Sequence, residues 1–415
     1  MQKLNPIQNP MQKSESKFLP AMSRNTKLFG AISFLTDVSS EMIFPLLPFF
    51  LTGVLGAPAF VLGFMESIGE FTAGISRFAA GVYSDKIGKR KMPMLAGYLL
   101  SSISKGALFF AVIWQHVVAL RFLDRLGKGI RNAPRDSLLA QSEKKENLGR
   151  AFGYLKMMDS AGATIGPLLA SALLILFFAG DGIGQAYRNI FAIAFIPAII
   201  AVALILFVKD KKDGIGDGHR FSFSSLLSVR NYKMFLLVIG IFSLGQFSVA
   251  FFLLKANPIV GLILIPIIYL AYNLFYTIFA VPAGYLSDKF GAKNAILTGF
   301  VLFTISIFLM AFYSAIWSAF LSLAILGVFM AIIETAPKVF ITRTFDESKY
   351  GSAIGLYGAV AGIIALPSNL IAGILWEQNM FGTNASFVFA IATTLVALVL
   401  LKFMVSDNHS RNAGL

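Results

Sequence analysis

The stretch Gly81-Val82-Tyr83-Ser84-Asp85-Lys86-Ile87-Gly88-Lys89-Arg90 has a second copy further along the chain, Gly284-Tyr285-Leu286-Ser287-Asp288-Lys289-Phe290-Gly291. Both keep Gly, Ser, Asp, Lys and Gly at the same spacing. Ala133-Pro134-Arg135 recurs as Ala336-Pro337-Lys338 at the same offset. Gly149 and Gly153 match Gly351 and Gly355, one residue off that register. Matches that recur in one order indicate a duplicated unit, and paired repeats are how many membrane transporters are built.

What surrounds the repeats is apolar. Of 415 residues, 57% are hydrophobic and only 13% charged, and the mean hydropathy is +0.74. A soluble domain carries about 25% charged residues, so lipid must cover much of this surface. A spanning helix needs about 20 mostly apolar residues. Such stretches lie near 28–53, 60–82, 93–113, 117–139, 151–178 and 189–208, and again near 233–254, 259–283, 294–313, 315–340, 351–375 and 385–405. The expected fold is therefore an all-α membrane protein of twelve transmembrane helices in two pseudo-symmetric six-helix bundles. The bundles would occupy 28–208 and 233–405, joined by a Gly- and Lys-rich connector at 209–232. Tails at 1–27 and 406–415 complete the chain.

The net charge of +14 would in a soluble protein raise nucleic acid as a partner. Its distribution argues against that reading. With the N-terminus inside, the basic residues of the N-tail, Lys86–Lys91, Lys144–Arg150, the connector and Arg343–Lys349 all fall on the cytoplasmic side. Only Arg188 and Lys255 fall opposite, which is the positive-inside pattern. No cysteine is present, and His116, His219 and His409 lack ligand spacing. With no nucleophile–base pair and no phosphate loop, neither an enzyme nor a cofactor is expected.

The loop at 81–90 resembles the signature loop of the major facilitator superfamily, between helices two and three. Gly81 lets two helices approach, and Gly88 permits a positive-φ bend. Asp85 can sit at a helix N-terminus or accept from an arginine. Lys89, Arg90 and Lys91 hold the loop inside, and Lys86 belongs to the same motif. The resemblance implies a conformational latch formed by these residues, with Gly284, Asp288 and Gly291 as a second copy; in that copy Ala292 replaces a basic residue. In helix five, Gly153, Gly162, Gly166-Pro167 and Ala170-Ser171 resemble the antiporter motif of the superfamily's drug–proton branch, which prefers two glycines where Ala170-Ser171 stands. Small residues at this spacing also make a plain packing face. Helix four occupies the place of the family's Arg-bearing motif, but Leu123 stands where the arginine is expected relative to Gly127. The Phe34–Glu41 opening and the Arg121–Gly129 block resemble a poorly characterised branch.

Ionisable residues within a membrane are costly and mark function. Asp37 and Glu41 are four apart on helix one, Glu66 and Glu70 four apart on helix two, and Lys156 and Asp159 three apart on helix five, so each pair shares a face. Arg121, Asp124, Arg125 and Lys128 descend helix four. Asp37 lies roughly 14 Å into its helix, near midplane, where a carboxylate beside a cation could bind and release a proton; a permanent salt-bridge network is the alternative. Glu66 is expected to line the entrance. The second half holds little beyond Glu334, and Gly245 takes the place of Asp37 in a rough alignment of helices one and seven. The N-terminal half would thus carry coupling and the C-terminal half would shape the cavity.

The expected function is proton-coupled transport of a small molecule by alternating access, in the direction of export. Import of an anionic metabolite on the helix-four cations is the alternative, and a non-transporting receptor a weaker one. The expected setting is a bacterial inner membrane with both termini cytoplasmic, with protons, substrate and membrane lipid as partners and the protein a monomer.

Overall fold

A computed structural model of the chain describes residues 22–87, 90–142, 148–210, 226–345, 350–377 and 382–406. The first six rods are α1 (Arg24–Ile43, continuing through Leu47–Phe49 and a π-helical turn, Phe50–Val54), α2 (Ala59–Ile87), α3 (Lys91–Ala107), α4 (Trp114–Ser142), α5 (Leu148–Asp181) and α6 (Ile183–Ile205). The second six are α7 (Arg230–Gly245, broken, then Val249–Val260), α8 (Ile265–Phe290), α9 (Ala292–Phe312), α10 (Ile316–Thr344), α11 (Tyr350–Glu377) and α12 (Ala385–Met404). No strand occurs among the described residues.

Among the described residues, 9 helices are long and apolar enough to cross a membrane. The rods outside that set are α2, α3 and α4. Of these, α3 has only 17 residues, while α2 and α4 bear the ionisable side chains that lipid will not accept on an outward face. Elsewhere the outward faces are strongly apolar: Phe403 is 77% exposed and Phe110 73%. Patches of that kind mark contact with a partner or a membrane.

The duplication is visible in the packing. In the first six rods α1 packs on α5 and α6, α2 on α4, and α3 on α4 and α6. In the second, α7 packs on α11 and α12, α8 on α10, and α9 on α10 and α12. The ends are tied in the same way. Asn25 Nδ2 donates to Lys209 O at 2.9 Å while its Oδ1 accepts from Lys209 N at 3.1 Å, locking the start of α1 to the chain beyond α6. Asn231 does the same with Ser406, at 3.0 Å each way, at the start of α7 and the end of α12. Lys91 Nζ reaches Leu206 O and Lys293 Nζ reaches Lys402 O, both at 2.8 Å. The paired asparagines and lysines are a part of the repeat that motif comparison missed.

Local chemistry explains several boundaries that differ from expectation. α1 begins at Arg24 rather than 28 because Ser23 Oγ caps it, accepting from Thr26 N at 3.1 Å. α6 begins at Ile183 rather than 189, directly after Gly182 at φ 73°. The polar Gln185, Arg188 and Asn189 hide that start from a hydropathy window. The seventh span is two helices, not one, because Ser248 caps a fresh N-terminus, Oγ accepting from Ala250 N at 3.3 Å.

Gly88 and Lys89 lie outside the described residues, as do the side chains of Asp85, Lys86 and Asp288. Gly81 falls within α2 and Gly284 within α8. Gly291, the counterpart of Gly88, ends α8 at φ 90°, the bend expected of that glycine. At the first copy, Arg90 N and Lys91 N both point to the Asp210 carboxylate, at 3.4 Å each, a negative charge at the start of α3.

The two sets of six meet along α2–α11 and α5–α8. At the end away from the start of α1, the α2–α11 seam is closed. Gly63 abuts the Asn369 carbonyl and Gly373 abuts Phe60. Ser67 Oγ donates to Leu366 O at 2.8 Å, and Phe60 N donates to Glu377 Oε1 at 2.9 Å. Toward the terminal end the same helices diverge: Gly74, Gly355, Gly358 and Gly362 face open space.

Candidate functional site

Between the halves lies a cavity of ≈ 580 Å³, closed at the far seam. That is within the size range of small-molecule sites, about 300–1,000 Å³. One wall is charged: Glu41 from α1, Glu66, Glu70 and Arg77 from α2, and Arg125 and Lys128 from α4. The facing wall is aromatic and neutral, with Gln246, Phe247, Ser248, Tyr269, Tyr272, Phe303, Phe329, Met330 and Asn369. The charged lining thus comes from the first six rods and the neutral lining from the second six.

Helical repeat explains the charged wall. Arg121, Asp124, Arg125 and Lys128 are spaced three and four apart, so they form one stripe on α4. Glu66 and Glu70 have the same spacing on α2, which packs alongside. Two rungs result: Arg121 Nη2 to Glu66 Oε1 and Arg125 Nη1 to Glu70 Oε1, each 3.2 Å. The first rung is buried, with side-chain exposures of 9% and 6%. Glu70, at 50%, opens to the cavity. Arg121 also reaches Asp124 through Nη1 at 3.5 Å, and its guanidinium lies 5.4 Å from the Phe44 ring centroid. Ser101 Oγ of α3 donates to Asp124 Oδ1 at 2.5 Å.

Glu66 does not line an entrance. Its second oxygen accepts from Ser248 Oγ at 3.2 Å, and Ser248 N donates to Asn369 Oδ1 at 2.7 Å. The break in α7 frees that N–H, and the capping serine faces α2. Glu66 therefore sits at the closed end, joining the Arg121 rung to the other half.

The α1 carboxylates take a different partner from the expected cations. A Cβ on Gly162 would come 2.9 Å from Asp37 Cβ, and one on Gly166 would come 2.7 Å from Glu41 Cβ. The α5 glycines and the α1 carboxylates thus share one four-residue beat, and the small residues seat the acidic ones. No ion pair joins Asp37 to α4 among the described residues; Arg121 and Arg125 pair with Glu66 and Glu70 instead. Pro167 has a further use. It cannot bond the carbonyl of Ala163, and Asn273 Nδ2 of α8 donates to that oxygen at 3.3 Å. Pro337 likewise frees Ile333 O, which accepts from Tyr357 OH at 3.4 Å.

Lys156 and Asp159, three apart on α5, take separate partners. Asp159 accepts from Ser33 Oγ of α1, and Ser33 in turn accepts from Arg135 Nη1 at 3.2 Å. Lys156 Nζ donates to Tyr276 OH at 3.3 Å, and Tyr276 OH donates to Glu334 Oε2 at 2.5 Å. Those bonds cross between α5, α8 and α10. Gly245 is not the spatial equivalent of Asp37, since it lies against Ala390 and Thr393 of α12 whereas Asp37 lies against α5. Sequence reasoning did not pick out Lys105 of α3. It is 4% exposed, and a lone lysine in an apolar span was the available signal.

A duplicated six-helix set around a midline cavity, with the repeated Gly–Asp–Lys–Gly turns, is matched by comparison with known proteins. The family model of the Major Facilitator Superfamily matches residues 29–262 and 254–414. The chain belongs to the Major Facilitator Superfamily. It is 33% identical over 390 residues to an uncharacterised MFS-type transporter of Methanocaldococcus jannaschii, covering 92% of this chain and 95% of the relative. A shorter match, 29% over 177 residues and 42% of this chain (43% of the relative), is to the multi-drug resistance efflux pump PmrA of Streptococcus pneumoniae. In solved structures the fold is shared with a point mutant of the nucleoside transporter NupG, at TM-score 0.80 and 13% identity, over 92% of this chain and 100% of that one. It is also shared with a bacterial homolog of the human lysosomal transporter Spinster, inward-facing and occupied, at TM-score 0.74 and 12% identity, over 91% and 96%. This MFS protein is thus a multi-pass membrane transporter.

Proposed function

We propose that this MFS transporter is a secondary active exporter of a small amphipathic molecule, driven by protons through alternating access. In this reading all twelve rods span an inner membrane, both termini and the 209–232 connector are cytoplasmic, and the 81–90 turn is the latch. The observation that carries it is the ≈ 580 Å³ cavity, shut at one end and walled by charge on one side and aromatic rings on the other. Glu41 Oε2 is buried and without a hydrogen-bond partner, as suits a carboxylate that takes up a proton or a cationic group. The partial match to an efflux pump supports export.

One observation favours import of an anion instead. Arg77 and Lys128 line the cavity, and neither closes an ion pair among the described residues. Both could receive a carboxylate or phosphate group.

The deciding experiment measures collapse of a proton gradient in inside-out vesicles on adding amphipathic drugs, siderophores or organic anions. Export predicts collapse with wild type. Asp37→Asn and Arg125→Gln are each expected to slow it by about tenfold or more, the equivalent of about 1.4 kcal/mol on the transport barrier. Uptake of an anion with no proton movement would favour the second reading.

A further inference from the structure

Behind the charged wall, on the side of Arg121 away from the main cavity, is a second polar space. It measures ≈ 20 Å³ and is lined by Ser40 of α1, Ser104 and Lys105 of α3, Arg121 and Asp124 of α4, and apolar residues. A space of that volume holds one water. Lys105 is buried, and its ammonium donates to Ser40 Oγ at 2.7 Å. An ammonium has three donors, so one neutral acceptor leaves it under-satisfied, and the adjoining space places a water within its reach. Asp124 is the carboxylate on the same space, held by Ser101 Oγ and Arg121.

Arg121 is common to both sides. One of its terminal nitrogens binds Glu66 at the main cavity, and the other binds Asp124 at the rear space. Glu66 and Asp124 carry two negative charges, and Arg121 and Lys105 two positive ones. These four charges cancel, which limits their cost in a membrane interior. Neutralising Glu66 by a proton or a cation from the cavity leaves one positive charge in excess and frees Arg121 to lean on Asp124. The group whose proton can leave to restore neutrality is Lys105, because a guanidinium does not deprotonate in proteins. Other charged groups near Lys105 are Arg131 and Lys128 of α4 and Asp37 of α1. The α6 face that packs on α3 is apolar here, with Phe195 against Gly106 and the Ala198 carbonyl accepting from Ser102.

We propose that Lys105, with Ser40, Asp124 and a water in the rear space, is a proton-exchange site of this transporter, linked through Arg121 to Glu66 at the substrate cavity. The step balances. Glu66 gains one proton or one cationic ligand, Lys105 Nζ releases one proton through the water to the solvent, and the ladder's net charge is unchanged. The site rests on the proton-coupled reading above, but it assigns the exchange to a residue outside the cavity wall.

The test needs no substrate. The chain has no cysteine, so spin labels on Gly53→Cys and Leu264→Cys, both exposed on the far face and in opposite halves, report the seam between them. Their distance distribution is measured from about pH 5 to about pH 11, a range that spans ordinary histidine and lysine titration. Wild type is expected to change distribution in a single transition. Lys105→Met and Lys105→Arg, which cannot exchange the proton, are expected to lose it. Lys105→His is expected to restore it at a midpoint lower by ~2–4 pH units. Lys255→Met, on the far face, is expected to retain the wild-type transition. Should Lys105→Met fail to fold, the Arg and His variants decide. An unmoved midpoint in the Lys105 variants overturns the proposal and leaves proton coupling standing. Absence of any transition in wild type overturns proton coupling and this site with it.

Discussion

Replacing Arg121 by Met is expected to destabilise the protein more than any other single change in the cavity wall, by about 3–5 kcal/mol, and to abolish transport. The cost comes from what is left behind. Glu66 and Asp124 both depend on this guanidinium, and stripping the cation from a buried pair leaves an uncompensated charge. Arg121→Lys keeps the charge but cannot bind two carboxylates through a fork of nitrogens, so partial stability with impaired transport is expected. The adjacent rung gives the contrast. Glu70 is half exposed, and exposed pairs contribute about 0–1 kcal/mol. Arg125→Met should therefore fold almost normally and lose transport selectively. Thermal unfolding in detergent beside vesicle transport checks both. Equal destabilisation by the two variants would contradict the distinction between a buried rung and an open one.

The second large effect is expected at Gly166. A Cβ there would meet Glu41 Cβ at 2.7 Å and Val38 O at 2.9 Å. Backbone cannot yield as a flexible side-chain tip can, so Gly166→Val must push α1 away from α5. Overpacking of this kind costs about 1–3 kcal/mol, and it displaces the carboxylate that faces the cavity. Gly362→Ala, in a helix at the open end with nothing within 4 Å, should be neutral or stabilise by up to about 1 kcal/mol. Melting temperatures of the two variants, measured together, test whether the helix-five motif is a seat for α1. Tolerance of Gly166→Val would remove that role.

Much of this architecture was readable because it depends on local chemistry repeated along the chain. Long apolar runs gave the rods, and the Gly–Asp–Lys–Gly and Ala–Pro–basic repeats gave the duplication. Four-residue spacing gave the shared faces of Asp37 with Glu41 and of Glu66 with Glu70. Partner choice was not readable, because it depends on which helices lie side by side. Two carboxylate pairs, the lone Asp159 and one cationic stripe admit several pairings. Only the packing of α2 on α4 and of α1 on α5 selects Glu66–Arg121 and Glu70–Arg125, and leaves Asp37 and Glu41 on glycines. Neutral groups were harder still. Ser248 and Asn369 carry no charge to draw the eye, and the break in α7 that gives them their role has no proline at the break itself. Lys105 differs, since its signal was present as an isolated lysine in an apolar helix.

Alternating access requires that the cavity between the halves be reached from one side at a time. A single cysteine at Gly362→Cys, on the cavity wall, tests it with a membrane-impermeant maleimide in right-side-out and inside-out vesicles. Asp210→Cys marks the terminal face. Rapid labelling of Gly362→Cys is expected from the face that labels Asp210→Cys. Labelling from the opposite face is expected once Gly63→Leu has wedged the α2–α11 seam. Labelling of the unwedged protein from the opposite face, or no labelling from either face, would contradict it.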